Sequence, residues 1–282
     1  MFSNYTVKNP LIEVKELKVV YGNKVILRDF GTSNIPFVIE DISRAGVQQG
    51  QVVAILGRSG SGKSTFFKAL AGIIQPAAGT ITIPDKKDNT RYVPVREGDL
   101  GFVQQNYPLS RNQTIMGMLL DATRQGDVPV SERKSVIEKY LEDWGLIEQR
   151  NLAPSQLSGG QKQRVAIIEQ LLCSHYFMIF DEPFSGLDVV NIAEVKTSFE
   201  KISTSNEINT IIFSTHDLEL AVEMADLIYI VGHERDEANK PIAGGTLVAC
   251  YDLKKMNIAW KPFSPEHKEL VEQIRTDFYK FC

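Results

Sequence analysis

Three apolar runs organise the chain: Val52-Val53-Ala54-Ile55-Leu56, Phe177-Met178-Ile179-Phe180 and Ile211-Ile212-Phe213-Ser214. Each is strand-sized and ends in polar chemistry, which is how a strand buried on both faces reads in an α/β protein. Upstream, residues 11–56 are β-rich: Ile12, Val14, Leu17, Val19 and Val20 predict a strand or hairpin, and Phe37-Val38-Ile39 another. After the first run a helix opens with Ser64-Thr65-Phe66-Phe67-Lys68-Ala69-Leu70. Gly79-Thr80-Ile81-Thr82-Ile83-Pro84 predicts a short strand, residues 85–99 a charged loop, and Leu100-Gly101-Phe102-Val103 a further strand. From Gln113 to Gln149 helical signals dominate. Ser131 is the expected N-cap, Val136, Ile137, Tyr140, Leu141 and Trp144 the apolar face, and Gly145 the stop. Residues 159–173 predict another helix. In the tail from Trp260 to Cys282, Ser264 caps Pro265 at a helix start, with Leu270, Val271, Ile274 and Phe278 on one face. Docking onto its own domain is the default for that helix, and a dimer-contact or regulatory role the alternative.

Ligands in α/β sheets collect at the carboxyl ends of the strands. The residues following the three runs are therefore expected to converge. After Leu56 come Gly57-Arg58-Ser59-Gly60-Ser61-Gly62-Lys63-Ser64. Glycines let the backbone curl so that successive N–H groups face one concavity, and the helix N-terminus makes it more anion-friendly. Lys63 can reach β- and γ-phosphates, and the Ser64 hydroxyl can ligate Mg²⁺. A glycine-rich surface turn would leave Lys63 unexplained. After Phe180 come Asp181 and Glu182. A metal-bound triphosphate needs a carboxylate near the metal and a base or water-positioning group further out, roles that suit Asp181 and Glu182. After Ser214 come Thr215, His216 and Asp217.

Composition narrows the class. In 282 residues, 43% hydrophobic content suffices for one large core with a subdomain attached. The net charge of −4 gives no basic field for nucleic acid, and no nucleic-acid partner is expected. Cys173, Cys250 and Cys282 are odd in number, far apart and form no CxxC, as expected of reduced thiols. Met1 to Pro10 has no apolar segment of signal-peptide length. The longest apolar stretches, such as Leu227 to Val231, are far short of a membrane span. These features predict a soluble chain, with any membrane spans supplied by another polypeptide.

Leu157-Ser158-Gly159-Gly160-Gln161 precedes a helix running through Arg164, Val165 and Ile167. Small residues at a helix start make a second anion site from bare N–H groups, with the Ser158 hydroxyl as an extra donor. The plainer reading is a flexible turn with an N-cap. Two such helix starts in one chain argue that the second serves something else, such as a nucleotide held on a partner subunit.

Together with the phosphate loop, this motif resembles the ATP-binding subunit of the ABC transporter family over residues 12 to 232. The resemblance implies a P-loop NTPase (a RecA-like α/β core) with an antiparallel β subdomain and an inserted α-helical subdomain. In that division residues 11–105 and 171–250 form the β subdomain and core, 106–170 the helical subdomain and 251–282 a C-terminal extension of a single ABC ATPase domain. Gly57, Arg58, Ser59, Gly60, Ser61, Gly62, Lys63, Ser64 and Thr65 correspond to Walker A, and Phe177 to Glu182 to Walker B. Ser158, Gly159, Gly160 and Gln161 are the signature loop. Gln105 takes the Q-loop position that touches Mg²⁺, with Gln104 adjacent. Asp188 in Ser185-Gly186-Leu187-Asp188 resembles the D-loop, His216 the switch histidine, and Tyr21 the aromatic that stacks on adenine. The implied ligands are ATP and Mg²⁺, the latter held by Ser64, Gln105 and Asp181, with Glu182 and His216 catalytic.

The implied activity is ATP hydrolysis driving head-to-tail dimerisation, with a second copy or a homologue, beneath a separate integral membrane permease. The implied location is cytoplasmic, at the inner face of the membrane through that permease. The alternative is a soluble ABC-type ATPase acting as scaffold or regulator without transport. Three departures stand out. Arg28 to Pro36 is longer than the family needs, extends a hairpin, and leaves Phe37 as a rival adenine stacker. Ile168-Glu169-Gln170-Leu171 puts Glu169 where the family has a cation. The charged stretch His233 to Pro241 reads as a solvated hairpin tip.

Overall fold

Val53 and Ile55 feed one hydrophobic core, whereas Val52, Ala54 and Leu56 feed another. That alternation follows from the two-residue period of a strand, and it puts this strand in the middle of the molecule. A computed structural model describes residues 5–44, 47, 50–85, 88, 90–105, 107–126, 128–173, 176–205 and 209–282. Residues 1–4 of the N-terminal stretch, 86, 87 and 89 of the charged loop, and 127 of the helical stretch lie outside the described residues.

In chain order the elements are β1 (Tyr5–Tyr21), β2 (Lys24–Phe30), β3 (Phe37–Arg44), β4 (Gln51–Leu56), α1 (Lys63–Leu70), β5 (Ala78–Pro84), β6 (Tyr92–Pro94) and β7 (Gly101–Val103). There follow α2 (Ile115–Ala122), α3 (Arg133–Asp143), α4 (Gly159–Leu172), β8 (Phe177–Phe180), α5 (Val189–Ser205), β9 (Thr210–Thr215), α6 (Leu218–Met224), β10 (Leu227–Gly232), β11 (Thr246–Asp252) and α7 (Pro265–Phe281).

The central sheet runs β11-β10-β4-β9-β8-β7. It is parallel from β10 to β7, with Tyr229 beside Ile55, Val53 beside Ile212, and Ile212 beside Ile179. β11 closes the edge antiparallel to β10. The three apolar runs are thus its adjacent central strands, and their carboxyl ends share one edge.

The second sheet is antiparallel. β1 pairs β3 from Tyr5 to Val14, β5 from Glu13 to Lys18 and β2 from Leu17 to Tyr21, and β6 extends β5. β1 changes direction at Glu16, where φ is +48°. Phe66 of α1 stacks on Phe30 at 4.2 Å and meets Phe37 edge-on at 5.1 Å, and Phe37 stacks on Tyr229 at 4.6 Å. This aromatic seam joins both sheets to α1. It also removes Phe37 as a rival adenine stacker, because the ring is fully buried. The other face of the central sheet is covered by α2 to α7 through a second core containing Leu119, Leu141, Ile167, Phe199, Val222 and Ile274.

Several local expectations change. The charged 85–99 stretch contains β6, whose partner strand β5 recruits it. The 113–149 stretch is two helices, and Glu132 rather than Ser131 sits at the N-cap of α3. Gly145 adopts φ +65°, the left-handed stop expected after α3. The 233–241 stretch is an exposed turn between β10 and β11, closed by a bridge from Arg235 to Pro241.

Candidate nucleotide-binding site

The loop from Gly57 to Gly62 needs glycine at three positions, Gly57 and Gly62 for space and Gly60 and Gly62 for backbone conformation. Gly60 and Gly62 adopt φ +84° and +103°. A Cβ on Gly57 would lie 2.6 Å from Ser61 Oγ and 2.7 Å from the Val231 oxygen. From outside the loop, a Cβ on Gly245 would lie 2.0 Å from the Ser61 oxygen. The first turn of α1 carries no acidic residue and no side-chain cap. Its first N–H groups are therefore left without a side-chain cap or a competing carboxylate, as an anion site requires. Ser61 Oγ is buried beside Gly57 with no hydrogen-bond partner.

Lys63 is buried. Its Nζ donates to the Gly57 oxygen at 2.6 Å and the Arg58 oxygen at 3.2 Å, and lies 3.3 Å from Glu182 Oε1. Glu182 sits two residues past the end of β8 with φ +50°, a conformation unusual for a residue with a side chain. Its other oxygen meets His216 Nδ1 at 3.2 Å. Ser214, the last-but-one residue of β9, donates its hydroxyl to Asp181 Oδ1 and accepts from the Glu182 amide, both at 2.8 Å. One hydroxyl thus orients both carboxylate residues. That role has no motif, because it arises only when β8 and β9 lie side by side.

These groups border an open cleft of about 700 Å³. Arg58, Ser59, Gly60, Gly62, Lys63, Ser64, Thr65, Gln105, Glu182 and His216 all line it. Of the adjacent glutamines, Gln105 is the one at the wall. Ile26, Ser185 and Phe278 complete the lining. Phe278 comes from the far end of the sequence, and its helical spacing signalled only a packing face.

Other candidate residues stand apart from this cleft. Asp181 lies behind its edge, with its backbone N–H bonded to the Val103 oxygen. Tyr21 is half exposed, at the turn between β1 and β2. Ser158 caps α4: its hydroxyl accepts from the Gln161 amide at 3.3 Å, and Gln161 Oε1 accepts from the Ser158 amide at 2.9 Å. Gly159 and Gly160 form the first turn of that helix, the latter beside Glu194 and Asn191 of α5. Asp188 accepts from the Asn191 amide at 2.9 Å at the start of α5. The start of α4 is therefore capped by its own side chains and is no part of the chain's own cleft.

Residues 41–185, just over half of the chain, match the family described as ABC transporter. The chain belongs to the ABC transporter family. It is 35% identical over 228 residues to the arginine transport ATP-binding protein ArtM of Bacillus subtilis (strain 168), a match covering 77% of this chain and 86% of that one. It is 37% identical over 191 residues to the sulfate/thiosulfate import ATP-binding protein CysA of a Synechocystis strain. That match covers 68% of this chain and about half, 53%, of its relative.

Among solved structures, cbiO1 from Clostridium perfringens, part of the ABC transporter complex cbiONQ, superposes with a TM-score of 0.66. It is 22% identical, and the likeness covers 95% of this chain and 96% of that one. A dimeric ATP-binding cassette in a post-hydrolysis state, bound to ADP and Pi, gives 0.62 at 22% identity, covering 86% and 99%. At such identities these two likenesses speak for the ABC ATPase fold. As a member of this family the chain is an ATP-binding, ATP-hydrolysing subunit. The residues of the cleft fit a triphosphate: glycine N–H groups, the Ser64 and Thr65 hydroxyls and the Lys63 ammonium all supply donors. Among the described residues, no helix is long and apolar enough to cross a membrane.

Proposed function

We propose that this subunit energises transport through a separate integral membrane permease, held by it at the inner face of the membrane. ATP drives two copies, or this chain and a homologue, together head to tail. Walker A of one protomer and Ser158 to Gln161 of the other then enclose each nucleotide. Residues 11–105 and 171–250 act as core and β subdomain, 106–170 as the helical subdomain, and 251–282 as the C-terminal extension.

Each candidate residue then has a task. The loop N–H groups and Lys63 bind the phosphates, and Tyr21 stacks on the adenine. Ser64, Gln105 and Asp181 would hold Mg²⁺ through hard oxygen donors. When bound, the metal supplies charge neutralisation of the phosphate oxygens. Glu182 orients the attacking water, and His216, hydrogen-bonded to Glu182, reports the terminal phosphate. Asp188 contributes from the start of α5 to contact between protomers. A groove of about 340 Å³ between β7, α2 and α4, lined by Leu100, Phe102, Met118 and Glu169, is where the permease would seat a helix. Burial raises the pKa of the Glu169 carboxyl there.

The observation carrying this reading is the pair of glycine-bearing helix starts, only one of which faces the chain's own cleft. A tagged copy extracted from native membranes should bring an integral membrane protein with it. Recovery with soluble proteins alone would favour a scaffold or regulator without transport.

A further inference from the structure

α7 packs along α6 and ends at the rim of the nucleotide cleft. The last carbonyls of a helix have no partner within it, yet here they are taken up from outside. The Lys280 oxygen accepts from Arg235 Nε at 3.2 Å, the Phe281 oxygen from the His233 amide at 2.8 Å, and the Cys282 oxygen from Arg58 Nη1 at 3.0 Å. Cys282 Sγ donates to the Val231 oxygen at 3.4 Å. The approach is close enough that a Cβ on Gly232 would lie 2.6 Å from the Phe281 oxygen. Two cations at the negative end of the helix dipole stabilise this dock, and one of them, Arg58, belongs to the phosphate loop. One turn before that end, Phe278 lines the cleft itself.

We propose that the last turn of α7 is part of the nucleotide site. Phe278 is a contact residue for the bound nucleotide, and Arg58, held by α7, is a positioning residue for the phosphate loop. The inference rests on the reading that this cleft holds the triphosphate. A ligand filling the cleft buries Phe278 only while α7 is docked, so it binds the docked form more tightly. By linkage, occupancy then tightens the dock and loss of the dock weakens binding.

The test uses the full chain with Cys250→Ser, since Cys173 is buried and Cys282 then reports the dock. Saturating Mg·AMP-PNP should slow alkylation of Cys282 by N-ethylmaleimide about fivefold, with half-effect at the dissociation constant found by titration. Phe278→Ala should raise KM for ATP about three- to tenfold with kcat retained, through loss of apolar contact. Gly232→Ala, which pushes α7 away without touching the cleft, should speed Cys282 alkylation and weaken nucleotide binding by a similar factor. An alkylation rate unchanged or raised by nucleotide overturns the proposal, as does wild-type KM in both variants. Failure of the unsubstituted chain to bind Mg·AMP-PNP would instead sink the nucleotide reading of the cleft, and the proposal with it.

Discussion

Lys63 Nζ lies 3.3 Å from Glu182 Oε1, joining the loop after β4 to the end of β8. The ammonium also bonds two oxygens of its own loop, so it is satisfied before any phosphate arrives. A triphosphate must draw it from these partners. That leaves Glu182 with His216 at 3.2 Å and the Ser214 hydroxyl on its backbone. Under the proposed function, a carboxylate so held orients water. Glu182→Gln keeps the shape and removes the charge and basicity. Its ATPase rate should fall about 10²- to 10⁴-fold while nucleotide affinity stays within a few-fold. Phosphate release and equilibrium binding check both, and wild-type turnover would exclude Glu182 as the water-positioning group.

Lys63→Ala deletes the only side-chain cation buried in the loop. Charged hydrogen bonds of this kind contribute about 1.5–3 kcal/mol each, so ATP affinity should weaken about 10- to 100-fold by calorimetric titration. An unchanged affinity would mean the phosphates bind elsewhere.

Gly245 lies far from every nucleotide-binding motif in the sequence, yet its backbone abuts Ser61. Its N–H donates to the Ile26 oxygen at 2.8 Å, tying β2 to the loop. Gly245→Ala should cost about 1–3 kcal/mol of stability through overpacking and weaken nucleotide binding as the loop shifts. Urea unfolding and nucleotide titration of the same sample test both effects.

Asp226 is buried at the foot of β10 and accepts from the Val52 amide at 2.8 Å. Burial raises its pKa to about 7, opposed by the Val52 hydrogen bond and the Lys254 and Arg44 charges. Between its unfolded value near 4 and that value, the folded state keeps a proton the unfolded chain has released. Its contribution to stability therefore falls as pH rises through this window and levels off above it. Asp226→Asn keeps an acceptor for Val52 and removes the titration. The wild type's urea midpoint, relative to that variant, should decline from pH 4 to 7. A constant difference would contradict the assignment.

The central sheet was readable in the sequence because β4, β8 and β9 are covered on both faces and so appear as unbroken apolar runs. The phosphate loop was readable because glycine, lysine and serine at fixed spacing encode a local shape. Phe37, a rival adenine stacker by its place in the sequence, is a core ring, since local sequence does not tell a stacking ring from a buried one. Ser214, Gly245 and Phe278 reach the site only through strand pairing and helix docking between distant segments. Their residue types carry no mark of this, and only the folded chain reveals it.

The central claim is that Ser158 and Gly160 serve the nucleotide of another protomer. Light scattering of Glu182→Gln at saturating Mg·ATP tests it most directly. The account predicts twice the protomer mass with nucleotide and the protomer mass without it. Adding Ser158→Arg should leave nucleotide binding intact and abolish the doubling. A Glu182→Gln protein that binds ATP yet keeps the protomer mass, or one that pairs equally well with Ser158→Arg, would contradict it.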